Sequence, residues 1–135
     1  MPLDASWPLQ QAVYGRLTGD MALMARLNGV YDHVSPEAAY PYATLGPATV
    51  RDWSSKSFSG EEHRFDVHLW SAAPGHGEAK ELMALAYDAL HEAALTLPGH
   101  ALVSLRFEFG QILREAAGPL HHAIMRFRAL THALP

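Results

Sequence analysis

Between Arg64 and Ala93 the apolar residues change period. Phe65, Val67 and Leu69 alternate with Arg64, Asp66, His68 and Trp70, the pattern of a strand with one buried face. Leu82, Leu85, Ala86, Ala89, Leu90 and Ala93 then recur at three- and four-residue spacing, which predicts an amphipathic helix of about five turns. The switch falls in "SAAPGHGEAK", where Pro74, Gly75 and Gly77 make a corner and Glu78 and Glu81 suit the positive end of a helix. A half-buried strand feeding such a helix needs a sheet with helices laid on its apolar face.

The rest of the chain extends this plan. Ser6 can cap a first helix, with Pro8 in its first turn, Leu9, Val13 and Leu17 at four-residue spacing, and Trp7 and Ala12 widening the stripe. Asp20 caps a second, short helix carrying Leu23, Met24 and Leu27, and "VYDHV" after it can be a short extended piece. Pro36, Pro41 and Pro47 forbid a long helix in the next stretch, and Tyr42–Leu45 and Thr49–Trp53 read as extended pieces interrupted at Pro47. Ser54–Gly60 reads as a mobile hairpin loop. Val103, Leu105, Phe107 and Phe109 alternate with Leu102, Ser104, Arg106 and Glu108, and Ala123, Met125, Phe127 and Ala129 with Ile124, Arg126, Arg128 and Leu130. A turn at Gly118–Pro119 joins these two strands. The expected fold is α+β, a mainly antiparallel four-stranded sheet with helices packed on one face, in the order α-α-β-β-α-β-β. It occupies residues 1–135 as one domain.

Composition excludes several functions. There are no cysteines, so disulfides, thiolate metal sites and a cysteine nucleophile are ruled out. The net charge is −4 and the ten lysines and arginines form no cluster, which argues against a duplex-binding stripe. No run of about 18 apolar residues exists, so no membrane span is expected. "MPLDASWPLQQAV" has no basic region and does not read as a secretory signal.

The corner raises the question of a metal or acid–base site. His68, His76, Glu78, His121 and His122 are the available ligands, but none forms a close pair with ligand spacing. His121 and His122 are adjacent, so on a strand they point to opposite faces. Glu61 and Glu62 show no sign of converging across a cleft. GxSxG and GxxxxGK[ST] are both absent. No cofactor, metal site or catalytic residue is therefore expected, and a His/Glu metal-dependent hydrolase is the weakest alternative. What remains is a mixed arginine and aromatic surface, the composition that protein interfaces favour. It comprises Trp53, Phe58, Arg64, Trp70, Arg106, Arg126 and Arg128. On these residues alone an adaptor of some multiprotein complex is a second reading.

Four stretches carry a resemblance. They are "LQQAVYGRLTGDMALMARLNGVYDHV", "YPYATLG", "FDVHLWSAAPGHGEAKELMALAYDAL" and "LVSLRFEFGQILREAAGPLHHAIMRFRAL", together spanning roughly residues 8–130. In order and spacing the chain resembles the tail completion and tail terminator proteins of siphophages and gene transfer agents. Its specific parts are the Pro-Tyr strand, the "VxLWSxxxGxxEAxxL" corner and the closing "HHAxMRFRA" strand. The resemblance implies a structural role without enzymatic activity. Its partners would be further copies in a hexameric ring, the major tail tube protein and the head-side connector or stopper. DNA would pass through the ring without sequence-specific binding. It also implies assembly in the host cytoplasm and a place at the head–tail junction of a virion or gene transfer agent particle.

Overall fold

The computed structural model describes residues 4–115 and 119–135, so Gly118 of the expected turn lies outside the described residues. Helix α1 (Ser6–Thr18) buries Leu9, Val13 and Leu17, and Gly19 ends it. Ser6 is its first helical residue and not its cap; Ala5 holds that position and makes no side-chain bond. Trp7 does not widen the buried stripe but stands exposed. Helix α2 (Met21–Met24) starts as the sequence predicts, with the Asp20 carboxylate accepting from the Leu23 N–H at 2.9 Å.

The strands are β1 (Val30–Tyr31), β2 (Tyr42–Asp52), β3 (Gly60–Ser71), β4 (His100–Arg114) and β5 (His121–Ala133), with α3 (Gly77–Leu90) between β3 and β4. They form one mixed sheet in the order β1-β2-β3-β5-β4. The expected four-stranded antiparallel sheet is thus corrected to five strands, because β1 pairs parallel to β2 through Val30 and Tyr31. Two residues carry no periodicity. This pair is held by its flanks, where Asn28 N–H donates to the Pro41 carbonyl and Ala43 N–H to that of Gly29.

The β3–β5 ladder runs unbroken from Gly60↔His132 to Ser71↔His121. The outer strands contain slips. In β2 the register shifts between Leu45 and Ala48, at Gly46–Pro47, so the two expected extended pieces form one bulged strand. In β4 it shifts between Leu102 and Ser104 and again between Phe107 and Phe109. Each shift resets the alternation. Leu102, Leu105, Phe107, Gly110 and Ile112 pair with the inward residues of β5, while Val103 and Phe109 stand exposed, against the regular alternation expected. Gly110 faces α3 so closely that a Cβ would lie 2.7 Å from the Met83 methyl carbon.

Helix α3 ends at Leu90, short of Ala93. His91 is extended and Glu92 takes φ 57°, which turns the chain along the outer edge of β4. There Glu92 N–H donates to the Leu105 carbonyl at 2.8 Å and Phe107 N–H to His91 Nδ1 at 3.0 Å. The helices cover one face, and the core joins Leu9, Val13 and Leu17 of α1 to Leu82, Ala86 and Leu90 of α3 and to Val67, Leu69, Ala123, Met125 and Phe127 of the sheet. Phe127 is fully buried, stacked on Phe65 at 5.6 Å and meeting Phe107 edge-on at 5.7 Å. Phe127→Ala is expected to cost about 3–5 kcal/mol in denaturant unfolding; a loss below about 1 kcal/mol would show that this row is not the centre of the core.

Candidate interaction surface

The face away from the helices is divided into a charged half and an aromatic half. In the charged half the arginines nominated from sequence are already engaged. Arg126 donates through Nε and Nη2 to the two Asp66 oxygens at 2.9 and 3.2 Å. Arg64 grips Glu108 in the same fork at 3.0 and 3.3 Å and reaches Glu62 at 3.0 Å. Arg128 donates to the other Glu62 oxygen at 2.6 Å, and Arg106 to Glu92 at 3.0 Å. Charge-assisted bonds from Arg128 and Arg64 hold the Glu62 carboxyl below its ordinary range. The pairs are half-exposed, so each contributes little to stability. Their larger consequence is electrostatic: four arginines meet four carboxylates, which leaves Arg51 as the arginine of this half without an ion pair among the described residues.

The aromatic half is one cross-strand row, Tyr42↔Trp70↔His122. Trp70 stacks on His122 with centroids 3.7 Å apart, and its Nε1 donates to Thr44 Oγ1 at 3.1 Å. Tyr42 stacks on Tyr40 at 5.1 Å and meets Tyr31 edge-on at 5.6 Å. The His68 and His122 imidazoles share a hydrogen bond, and His122 Nδ1 lies 3.2 Å from Glu115. Burial, followed by the neighbouring His122, lowers the His68 pKa. Gly46 is required beside this ring, because a Cβ there would collide with the imidazole.

The five possible ligands of the corner are separated by the sheet. His68 and His122 lie on the open face. His76 meets His121 at 4.8 Å on the helix side, and Glu78 accepts from Ser71 Oγ at 2.6 Å. Among the described residues no group of three histidine or carboxylate side chains is placed to hold a metal ion. Among them too, no helix is long and apolar enough to cross a membrane. The 54–60 hairpin is tied by Trp53 N–H to the Gly60 carbonyl (2.8 Å) and Ser55 N–H to the Phe58 carbonyl (3.0 Å). Phe58 packs back on Trp53 at 5.4 Å and on His132 at 5.6 Å, so neither nominated aromatic of this loop projects alone. The outward positions that sequence reasoning missed are Val103, Phe109 and Leu113 on β4 and Trp7 and Tyr14 on α1. The seven-residue spacing of Trp7 and Tyr14 signals a shared helix side, but not which side.

The class the fold defines is α+β, a mixed sheet with one face sealed by helices and the other carrying ion pairs and stacked rings. The profile of the tail completion protein gp17 family matches residues 11–132, and the chain belongs to that family. Tail completion protein gp17 of Bacillus phage SPP1 is 27% identical over 124 residues, covering 92% of each chain. A chain of the native gene transfer agent virion superposes with a TM-score of 0.90 at 33% identity, over 96% of this chain and 98% of that one. The solved SPP1 gp17 protein superposes with a TM-score of 0.66 at 24% identity, over 97% and 91%, and shares the fold.

One buried group sets a pH dependence. His63 Nε2 sits 3.1 Å from Thr131 Oγ1 and 3.4 Å from Glu61 Oε1. Burial, aided by the charge of His100, lowers the His63 pKa from 6.5 to about 4. Between those values only the unfolded chain takes up the proton. Stability is therefore full above about pH 6.5 and falls as pH drops toward about 4, by a ceiling on the order of 3 kcal/mol. Burial pushes the Glu61 carboxyl up, so its early protonation offsets part of the loss. The drop in Tm between pH 7 and pH 4.5 is expected to shrink in His63→Gln; equal drops in both proteins would exclude this group as the cause.

Proposed function

We propose that this chain is a non-enzymatic structural subunit of a particle tail, one that completes the tail tube and joins it to the head-side connector. It acts in a siphophage-like virion or gene transfer agent, as one domain across residues 1–135, in a ring of about six copies. The observation that carries this reading is the likeness to a gene transfer agent virion chain along nearly the whole of both molecules. The chemistry of the surface supports it. A ring through which DNA slides must not grip phosphate. Arg64, Arg106, Arg126 and Arg128 of the open face are paired with carboxylates and each copy carries a net charge of −4. Trp53, Phe58 and Trp70 serve at contacts with neighbours. Arg64, Arg106, Arg126 and Arg128 present a charge-balanced surface to the tube protein, the connector or the lumen.

The test is deletion. Particles produced without this protein are expected to show tubes of uncontrolled length and tails separated from heads by electron microscopy. Tubes of normal length joined to filled heads would refute the reading.

A further inference from the structure

The sheet ends in β4 on one side, and on the other the two-residue β1 leaves most of β2 as an edge, so each edge is half covered. On β2, β1 pairs with Ala43 and Thr44. On β4, His91 and Glu92 occupy the edge at Leu105 and Phe107. This leaves Ala48–Asp52 and Gly110–Arg114 with no backbone hydrogen bond on the outer side among the described residues. The direction of the free groups follows from the antiparallel alternation. Trp53 N–H turns inward to Gly60, so the backbone groups of Asp52, Val50 and Ala48 turn outward. Glu115 N–H turns inward to Leu120, so those of Arg114, Ile112 and Gly110 turn outward. Both edges thus offer three residues at the same spacing.

Strand direction decides the partner. From β2 through β3 and β5 to β4 the strands alternate, and their number is even. In two copies of equal orientation, β4 of one is therefore antiparallel to β2 of the next. Such a head-to-tail contact repeats and can close into a ring. A β4–β4 contact would stop at two copies and leave β2 open.

We propose that successive copies join by antiparallel pairing of β4 with β2 of the neighbour, Gly110 opposite Asp52, Ile112 opposite Val50 and Arg114 opposite Ala48. This rests on the ring reading above and names the strands that make the ring. The register uses all six outward-facing residues. Ile112 meets β-branched Val50 on the helix side, and on the open side exposed Phe109 meets Trp53 and exposed Leu113 meets Thr49. Arg51 faces Gln111, and no two like charges stand opposite each other. Pro47, which lacks an N–H, falls at an inward-facing position where the contact needs none.

The chain has no cysteine, so an introduced thiol meets no native thiol on any copy of the chain. Gln111 and Arg51 form a non-hydrogen-bonded pair across the contact, where Cα atoms approach to about 4.5 Å, within disulfide reach. Assembled particles carrying Arg51→Cys and Gln111→Cys together are oxidised mildly and run under denaturing conditions. The expected result is a ladder of linked copies ending in a closed species, with none from either single variant. Thr49→Cys with Leu113→Cys gives the same ladder, whereas Thr49→Cys with Gln111→Cys stays unlinked. Rings visible in the particle without cross-links in the first two pairs overturn the edge pairing while the ring stands. Gln111→Cys linking to itself, or the out-of-register pair linking instead, overturns it as well. Particles in which this protein forms no ring overturn the ring reading and the pairing with it.

Discussion

The unbroken ladder between β3 and β5 fixes everything else in this protein. Twelve consecutive pairs leave no freedom to slip, and side chains alternate strictly along a strand. A one-residue shift would move Val67, Leu69, Met125 and Phe127 from the helices to the open face and carry Asp66 and Arg126 into the core. The outer strands can then bear three bulges without losing the fold, because each is measured against an inner strand that is already locked.

That ladder also explains why the arginines of the open face bind their own carboxylates. Asp66 and Arg126 are direct cross-strand partners, and Arg64 and Arg128 are another such pair. Two arginines placed opposite each other repel unless carboxylates intervene. Glu62 lies between them and bonds both, and Glu108 takes the other fork of Arg64. Isolated pairs of this kind contribute little to stability. As a lattice they set a charge-balanced surface, a property that matters to whatever meets this face more than to the fold.

Much of this was legible in the sequence because one face of each inner strand is buried and period two is a strong signal. Phe65, Val67 and Leu69, and likewise Ala123, Met125, Phe127 and Ala129, lie where their alternation puts them. The separation of His121 from His122 was legible for the same reason. Three things were hidden. A two-residue strand has no period, so "VYDHV" reads as a short extended piece but its parallel pairing as a fifth strand does not show. A bulge inverts the alternation without altering composition, so Val103 and Phe109 read as core although they face outward. The end of α3 depends on a tertiary bond from Glu92 to the Leu105 carbonyl, and local pattern in "LHEAAL" simply continues the helix. The arginine and aromatic surface was found as a list of residues, but its internal pairing depends on register across three strands, which no local pattern carries.

The same bond at the end of α3 has a wider meaning. A bare edge of fifteen residues would pair with any strand offered to it, and proteins that keep such edges aggregate. His91 and Glu92 close the part of β4 near Leu105, and Val30 and Tyr31 close the part of β2 near Ala43, at diagonally opposite corners of the sheet. Among the described residues only short stretches stay open, so a chance strand finds few bonds at either edge. A partner gains the full set only if it arrives antiparallel, offset along the strand and with its free groups in step. The β-branched and aromatic residues beside the open stretches then add side-chain contacts that a misregistered strand would lose. Half-covering both edges therefore restricts what can bind there more than it restricts binding itself.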